Sequence, residues 1–295
     1  VYMEQNSIVD SKGFRRLEFS SSPEIYDNSL QAWFKDMTNY DLSLMHFLFG
    51  AGAEIANELG IKTEAAHWNK LKSQLPDFDL DNEGSLTFAK GFPYNASHRH
   101  FSHALAIHPL GIIDWSDGEK AQRIIRATLK KMNDYGPDYW TGYTYSWFAN
   151  MQARAFNGEE AAKALRTFAE CFCLKNTFHA NGDQSASGKS KFTYRPFTLE
   201  GNFAFAAGIH EMLLQSHTGV IRVFPAVPES WKNVSFNNLR AMGGFLVSAA
   251  LKDGKVVRLE IYAEKGGRLA VFSPFEHKVV EYDTQPGSRI DLAVE

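Results

Sequence analysis

The first two thirds of the chain carry apolar residues at helical spacing. From residue 39 to residue 60, Leu42, Met45, Phe49 and Ile55 fall on one face, which predicts a helix that Asn39 caps. The same periodicity predicts further helices at 63–75, 117–132, 143–156, 159–174 and 202–215. Short helices with short connections favour helical hairpins stacked around a centre. Periodicity alone leaves open whether such hairpins close into a ring.

After residue 218 the pattern changes to short apolar runs that are typical of strands. We predict strands at 220–224, 245–251, 256–263, 268–272 and 278–282. Asp253-Gly254 lies between two of these runs and is a strong hairpin signal. The chain is therefore predicted to be mainly α with a C-terminal all-β domain. We place the helical region at 1–217 and a small antiparallel β domain at 218–295.

One long segment between predicted helices has the composition of a loop. Residues 179–191 are polar and rich in Gly and Ser, so we expect a mobile surface loop there.

The two cysteines do not indicate a redox or metal site. Cys171 and Cys173 lie two positions apart in a helical stretch, so their side chains point to different faces. We interpret them as small buried residues rather than as a redox or metal pair.

Composition narrows the functional classes. The chain has 295 residues with a net charge of −3, so no basic field favours nucleic acid as a partner. No stretch approaches the roughly 20 apolar residues of a membrane span. Aromatic residues are abundant, with 23 Phe, 11 Tyr and 6 Trp, and they could form either a large core or the walls of a binding site.

A dense polar cluster reads His98-Arg99-His100-Phe101-Ser102-His103. Three interpretations are open. The imidazoles could bind a zinc ion, although the spacing matches no standard zinc motif. The cluster could form a polar wall that donates hydrogen bonds to hydroxyl oxygens. Alternatively, it could be a network that only holds the preceding loop in place.

Two carboxylates stand in distinctive contexts. Glu24 follows Pro23, which stiffens the turn, and Glu200 stands at the predicted start of an apolar helix, where its charge suits the helix dipole. Taken alone, either could be a surface or capping carboxylate. Tyr143 and Trp147 could pack against the apolar face of a sugar or belong to the core.

Taken in order, these segments resemble glycoside hydrolase family 95, the inverting α-L-fucosidases and related α-L-galactosidases. The resemblance covers most of the chain. It rests on Ser-Pro-Glu at 22–24, His-Arg-His-x-Ser-His at 98–103, Thr-Gly-Tyr-x-x-x-Trp at 141–147, Leu-Glu-Gly-Asn-Phe at 199–203, Glu-Met-Leu-Leu-Gln-Ser-His at 211–217 and Leu-Arg-Ala-Met-Gly-Gly-Phe at 239–245.

This resemblance implies part of an (α/α)6 barrel followed by a small antiparallel β-sandwich. It also implies a two-carboxylate mechanism in which a carboxylic acid protonates the leaving oxygen and a water attacks from the opposite face. Glu24 falls at the general-acid position, a role for which burial among aromatic residues would raise the pKa. Glu200 falls where the family has an Asp in its base machinery.

The resemblance further implies the substrate-binding residues and the setting of the enzyme. The residues expected to bind an oligosaccharide or polysaccharide are His98, Arg99, His100, His103, Tyr143, Trp147 and Asn202. No metal and no cofactor are expected. The family suggests a periplasmic or extracellular location.

Three departures from the family qualify these expectations. Glu200 is one methylene longer than the family's Asp. The loop before His98 lacks the Glu-Trp usual in the fucosidases, which leaves open whether the sugar is L-fucose itself or a related sugar. The family's N-terminal β domain and first barrel helices are missing, and the chain begins at Val1 without a signal segment. We therefore expect the C-terminal part of a longer enzyme, with the missing part as its partner.

Two other functions remain open. One is a polysaccharide lyase on a helical toroid, in which His100 or Tyr143 acts as the base while Arg99 and Asn202 neutralise a uronate. The other is a carbohydrate-binding remnant that has lost catalysis.

Overall fold

The computed structural model describes residues 2–292. By compactness the chain divides into two units, Val1–Trp140 and Thr141–Glu295. The limits predicted from the sequence, 1–217 and 218–295, concern a change from helix to sheet rather than compactness, and they stay a prediction.

The first unit combines helices with two-stranded hairpins. Its helices are α1 (Tyr2–Gln5), α2 (Asn39–Glu58), α3 (Lys62–Ser73) and α4 (Glu119–Tyr135). Its strands are β1 (Ile8–Val9), β2 (Arg15–Arg16), β3 (Ser20–Ser21), β4 (Trp33–Phe34), β5 (Thr87–Ala89) and β6 (Phe92–Pro93), which pair antiparallel in sequence order. Short 3-10 turns cover Ile25–Asn28, Leu30–Ala32, Ser102–Ala104 and Trp115–Asp117.

Helix α2 begins one residue away from the cap that the sequence suggests. The Thr38 hydroxyl accepts the Asp41 backbone N–H and caps the helix. Asn39 is instead buried, and its amide donates to the backbone carbonyls of Asp79 and Thr87, both at 2.8 Å. The expectation that Asn39 caps is therefore wrong, because its side chain anchors a loop about forty residues away.

The apolar pattern of α2 predicts a buried position that the structure leaves exposed. Leu42, Met45 and Phe49 pack with Leu71 of α3 in one buried cluster. Ile55, which we expected on the same face, is 59% exposed. The buried face of the helix continues instead through Ala53 and Ala56.

The second unit contains three packed helices followed by strands. The helices are α5 (Gly142–Arg154), α6 (Gly158–Cys171) and α7 (Glu200–Leu213). The strands are β7 (Leu214–Gln215), β8 (Val220–Val223), β9 (Val234–Ala241), β10 (Phe245–Lys252), β11 (Lys255–Ala263), β12 (Gly267–Ser273), β13 (Lys278–Thr284) and β14 (Arg289–Leu292). The prediction of helices followed by C-terminal antiparallel strands is confirmed, in a structure that mixes helix and sheet.

The strands form two four-stranded sheets, ordered β14-β11-β10-β9 and β13-β12-β8-β7. All pairs are antiparallel except β8 with β12, which run parallel. Buried residues of both sheets, such as Val247 and Ile261 of one and Ile221 and Val271 of the other, form a single core. Strands β9 and β14 escaped the sequence analysis because polar residues interrupt their few apolar ones.

The connection between β10 and β11 matches its prediction. Asp253 and Gly254 both adopt positive φ, +50° and +78°, as a two-residue hairpin turn of this twist requires.

The segment 179–191 is more than a surface loop. His179, Ala180, Gly182, Asp183 and Ser190 are buried, and Ala180 forms a β-bridge with Phe197. The expectation of a surface loop is wrong for these residues, because a polar composition does not reveal which side chains tertiary contacts cover. Cys171 and Cys173 are both free thiols, the first of them buried.

Among residues 2–292, no helix combines the length and the apolar character required to cross a lipid bilayer.

A buried ion pair joins α5 to α7. Arg154 donates from Nε and Nη2 to the two carboxylate oxygens of Glu211 at 2.6 and 2.8 Å. Gln215 donates to the carbonyls of Ala153 and Glu211 at 2.9 and 3.0 Å. The Glu and Gln of the 211–217 motif therefore hold helices together.

We expect Glu211→Gln to lower the free energy of unfolding by about 3–5 kcal/mol, because it leaves a buried guanidinium without its counter-charge. Urea unfolding followed by circular dichroism measures this change. Glu119→Gln, which removes an exposed partner of Arg123, is the matched control and should leave the midpoint nearly unchanged. Equal midpoints for both variants would contradict a structural role for the buried pair.

Candidate functional site

The first unit places the Glu24 carboxylate among the basic residues of the 98–103 segment. Its Oε2 accepts Arg99 Nε at 3.0 Å and His100 Nε2 at 2.9 Å, with a further hydrogen bond from Arg99 Nη2. The Glu24 backbone carbonyl lies 3.2 Å from His98 Nε2. The carboxylate and the basic cluster, which the sequence analysis singled out as two separate features, thus meet at one place.

The local backbone conformation directs the Glu24 side chain toward this cluster. Its backbone is left-handed, with φ of 56°, and its N–H donates to Asn28 Oδ1 at 3.0 Å. The buried hydroxyls of Ser22 and Ser102 lie 2.6 Å apart and join the two segments. The Ser residues of both motifs therefore fix the approach of the charged side chains.

The charge environment of Glu24 differs from our expectation. Burial raises its pKa, but the electrostatic interactions and hydrogen bonds with His100 and Arg99 outweigh burial and hold the pKa below its usual value. The expectation of a pKa raised by aromatic burial is therefore wrong, because the carboxyl is 42% exposed and its nearest neighbours are basic.

The two histidines of this cluster favour their neutral forms. Burial lowers the pKa of His98 and of His100, and the nearby Glu24 opposes that shift only in part. At neutral pH, Arg99 is thus the main fixed positive charge facing Glu24.

His103 lies apart from this cluster, in an aromatic core. Its ring stacks on Tyr94 at 5.1 Å and lies 4.8 Å from the ring of Phe88. It is fully buried, and burial lowers its pKa to about 3. A direct sugar contact does not follow from this placement.

Within the described part of the chain, no three His, Cys, Asp or Glu side chains form a group that could hold a metal ion.

The second unit contains the other carboxylate. Glu200 is the first residue of α7, at a helix start as the sequence predicts, and its side chain is exposed. Burial raises the pKa of Tyr143, and the negative charge of Glu200 raises it further. The Tyr143 and Trp147 rings lie 5.9 Å apart on α5, with Trp147 buried and Tyr143 partly covered.

The side-chain amide of Asn202 forms hydrogen bonds within the protein. Its Oδ1 accepts the His179 backbone N–H, and its Nδ2 donates to the Thr177 carbonyl, both at 2.9 Å. Its amide ties the 177–179 segment to α7, while its predicted contact with a sugar stays a prediction.

The sequence analysis missed His179, which is fully buried beside this helix start. Its surroundings include Gly142 and Gly201, which lie inside two of the motifs already noted. A pair of glycines in polar motifs can indicate a ring packed between two backbone segments. The sequence around His179 is itself polar and rich in Gly, so His179 did not stand out as the residue that fills this space.

Comparison with known families defines the class of the chain. The model of the Glycosyl hydrolase family 95 catalytic domain matches residues 2–213, and that of the Glycoside hydrolase family 95 C-terminal domain matches residues 215–291. The chain therefore belongs to glycoside hydrolase family 95, a family of glycosidases.

Two curated relatives are similar over part of their lengths. Alpha-L-fucosidase 2 of Arabidopsis thaliana is 31% identical over 198 residues, which cover 66% of this chain and 23% of the relative. Probable alpha-fucosidase A of Aspergillus niger (strain ATCC MYA-4892 / CBS 513.88 / FGSC A1513) is 23% identical over 247 residues, covering 79% and 28%. The chain thus spans about a quarter of the length of these relatives.

The burial of His103 predicts a dependence of stability on pH. In the folded state its pKa is about 3, against an ordinary value of 6.5. Between these values the unfolded chain binds the proton and the folded chain does not, so stability falls as pH drops below 6.5. We expect His103 to account for about 2 kcal/mol of the loss between pH 7 and pH 5.

Urea unfolding at both pH values tests this expectation. His103→Leu should reduce the pH dependence by that amount, whereas His210→Gln, at an exposed position on α7, should leave it unchanged. An unaltered pH dependence in His103→Leu would show that the ring is protonated or accessible in the folded protein.

Proposed function

We propose that this chain carries the catalytic machinery of an exo-acting glycosidase that removes α-linked L-fucose, or a closely related sugar, from glycan ends with inversion. The observation that carries the proposal is the cluster of Arg99, His98 and His100 around the Glu24 carboxylate. Membership of family 95 and the names of both relatives support the same reaction class.

Glu24 is proposed as the general acid. In the free protein Arg99 and His100 favour its carboxylate form. A sugar that binds against the exposed side of the carboxyl excludes water, and loss of water favours the protonated form. Protonated Glu24 can then donate to the glycosidic oxygen as the bond breaks.

Glu200 is proposed as the base that activates the attacking water. It is the first residue of α7, and its side chain is exposed, so a water molecule can reach the carboxylate. Tyr143 and Trp147 are proposed to contact the sugar, with the Tyr143 hydroxyl kept protonated by burial and by the charge of Glu200.

The remaining family properties are part of the same proposal. Helices α2 to α7 would contribute to an (α/α)6 barrel, a glycan would be the substrate, and the enzyme would act in the periplasm or outside the cell. The packing of α5, α6 and α7 against one another, with the Arg154–Glu211 pair between α5 and α7, supports a helical catalytic region.

Substitution of the two carboxylates should separate their roles. On fucosylated oligosaccharides we expect Glu24→Gln and Glu200→Gln each to lower kcat/KM by about 10²–10⁴-fold. On an aryl α-L-fucoside with a good leaving group, Glu24→Gln should retain most activity because that group needs no proton, whereas Glu200→Gln should stay impaired. An aryl α-L-galactoside, assayed in parallel, distinguishes the two sugars.

The matched control for this assay is Glu119→Gln, an exposed residue of α4, which should behave as wild type. Proton NMR of the first-formed anomer reports inversion directly. Wild-type-like turnover of oligosaccharides by Glu24→Gln would defeat the acid assignment, and a retained anomeric configuration would defeat the inverting mechanism.

The basic neighbours of Glu24 predict a shift in the pH–rate profile. A general acid must be protonated, so activity falls as pH rises above its pKa. Arg99→Met removes a positive charge that lowers this pKa, and the high-pH limb of kcat/KM should therefore move to higher pH. An unmoved or lowered limb would show that Glu24 is not the group titrating there.

A further inference from the structure

His179 contacts both sides of the Glu200 position. Its ring Nδ1 lies 2.8 Å from the carbonyl oxygen of Thr198, two residues before Glu200. Its backbone N–H donates to Oδ1 of Asn202, two residues after Glu200, at 2.9 Å. One residue thus brackets the tripeptide 199–201 that carries the carboxylate.

The hydrogen-bond partners define the tautomer of His179. A carbonyl oxygen can only accept, so Nδ1 carries the proton and donates to Thr198. The Thr198 hydroxyl, 2.9 Å from Nδ1, donates its own proton to Asn181 Oδ1 at 2.9 Å. The buried Nε2 has no hydrogen-bond partner among residues 2–292. The ring is therefore a neutral donor that acts on the backbone before α7.

Two glycines make room for this ring. A Cβ at Gly201 would lie 2.3 Å from His179 Nδ1, and a Cβ at Gly142 would lie 2.4 Å from Nε2. Contacts this short are not tolerated, so the ring occupies space that only glycine leaves free. Phe168 closes a further side, with ring centroids 5.2 Å apart. The imidazole is thus packed between the first turns of α5 and α7.

Helix α7 depends on outside support at its start. The residue before the helix, Leu199, provides no side-chain cap, so the helix lacks the usual Ser, Thr, Asp or Asn that would fix its first turn. His179 supplies that support through Thr198 and Asn202. Ser146 adds a hydrogen bond from its hydroxyl to the Gly201 carbonyl at 3.2 Å.

We propose that His179 is a positioning residue that sets the direction of the Glu200 carboxylate. Its ring holds the Thr198 carbonyl before Glu200, and its backbone N–H holds the Asn202 side chain after Glu200. This inference rests on the proposed function of Glu200 as the catalytic base. It adds a residue outside the polar motifs to the machinery of the reaction.

A double-mutant cycle on the full chain tests the inference. We expect His179→Ala to lower kcat on an aryl α-L-fucoside by 10-fold or more with KM changed less than threefold. In the Glu200→Gln background, the same substitution should cause no further loss, because the carboxylate it aims is gone. His179→Asn, which retains an N–H donor near Nδ1, should recover part of kcat. A loss by His179→Ala that is undiminished in the Glu200→Gln background would overturn the inference.

A structural readout separates this inference from the proposed function. Hydrogen–deuterium exchange at the first turn of α7 should accelerate at least 10-fold in His179→Ala and in Gly201→Ala, whose new methyl displaces the ring. His210→Ala, at the exposed far end of α7, is the matched control and should leave that turn unchanged.

Unchanged exchange in His179→Ala would overturn the inference whatever the activity. If the wild-type protein hydrolyses none of the aryl glycosides, the proposed function of Glu200 fails and the catalytic part of the inference fails with it. Accelerated exchange would then still establish His179 as the support of the helix start.

Discussion

The candidate site depends on the hydrogen bonds that the Glu24 carboxylate accepts from Arg99 and His100. The residues are about 75 positions apart, and the Ser22–Ser102 hydrogen bond brings their segments together. Glu24 adopts a left-handed backbone that costs roughly 1 kcal/mol or more for a residue with a side chain. Charge-assisted hydrogen bonds can offset such a cost, and they give the carboxylate one defined direction.

In the second unit, a neutral side chain rather than a positive charge supports the segment that carries the carboxylate. Here the start of α7 carries Glu200. The neutral, buried imidazole of His179 contacts the Thr198 carbonyl before the helix, and the His179 backbone N–H donates to the Asn202 side chain in its first turn. The ring fits because Gly142 and Gly201 lack side chains. Further along the helix, the Arg154–Glu211 pair joins α7 to α5, so the helix is held at both ends.

Much of this architecture is readable from local pattern. Helices with long apolar stripes, such as α2 and α4, appear within a few residues of their predicted ends, and the Asp253-Gly254 turn is where its composition indicates. Strands β9 and β14 are not readable, because polar residues interrupt their apolar ones and the strands gain their order from pairing with β10 and β11. The cap of α2 is missed because Thr38 and Asn39 are equally suitable, and a distant loop decides between them.

By itself, the sequence determined which residue types could carry chemistry and in which order they occur, since motifs and periodicity are local properties. It also determined the helical and strand regions, because apolar spacing reports which face is buried. Only the tertiary structure decided that Arg99 and His100, rather than aromatic rings, surround Glu24, that His103 belongs to the core, and that His179 supports Glu200. These outcomes depend on burial and on contacts between distant segments, and both shift the pKa and the accessibility of a side chain in ways that no local pattern encodes.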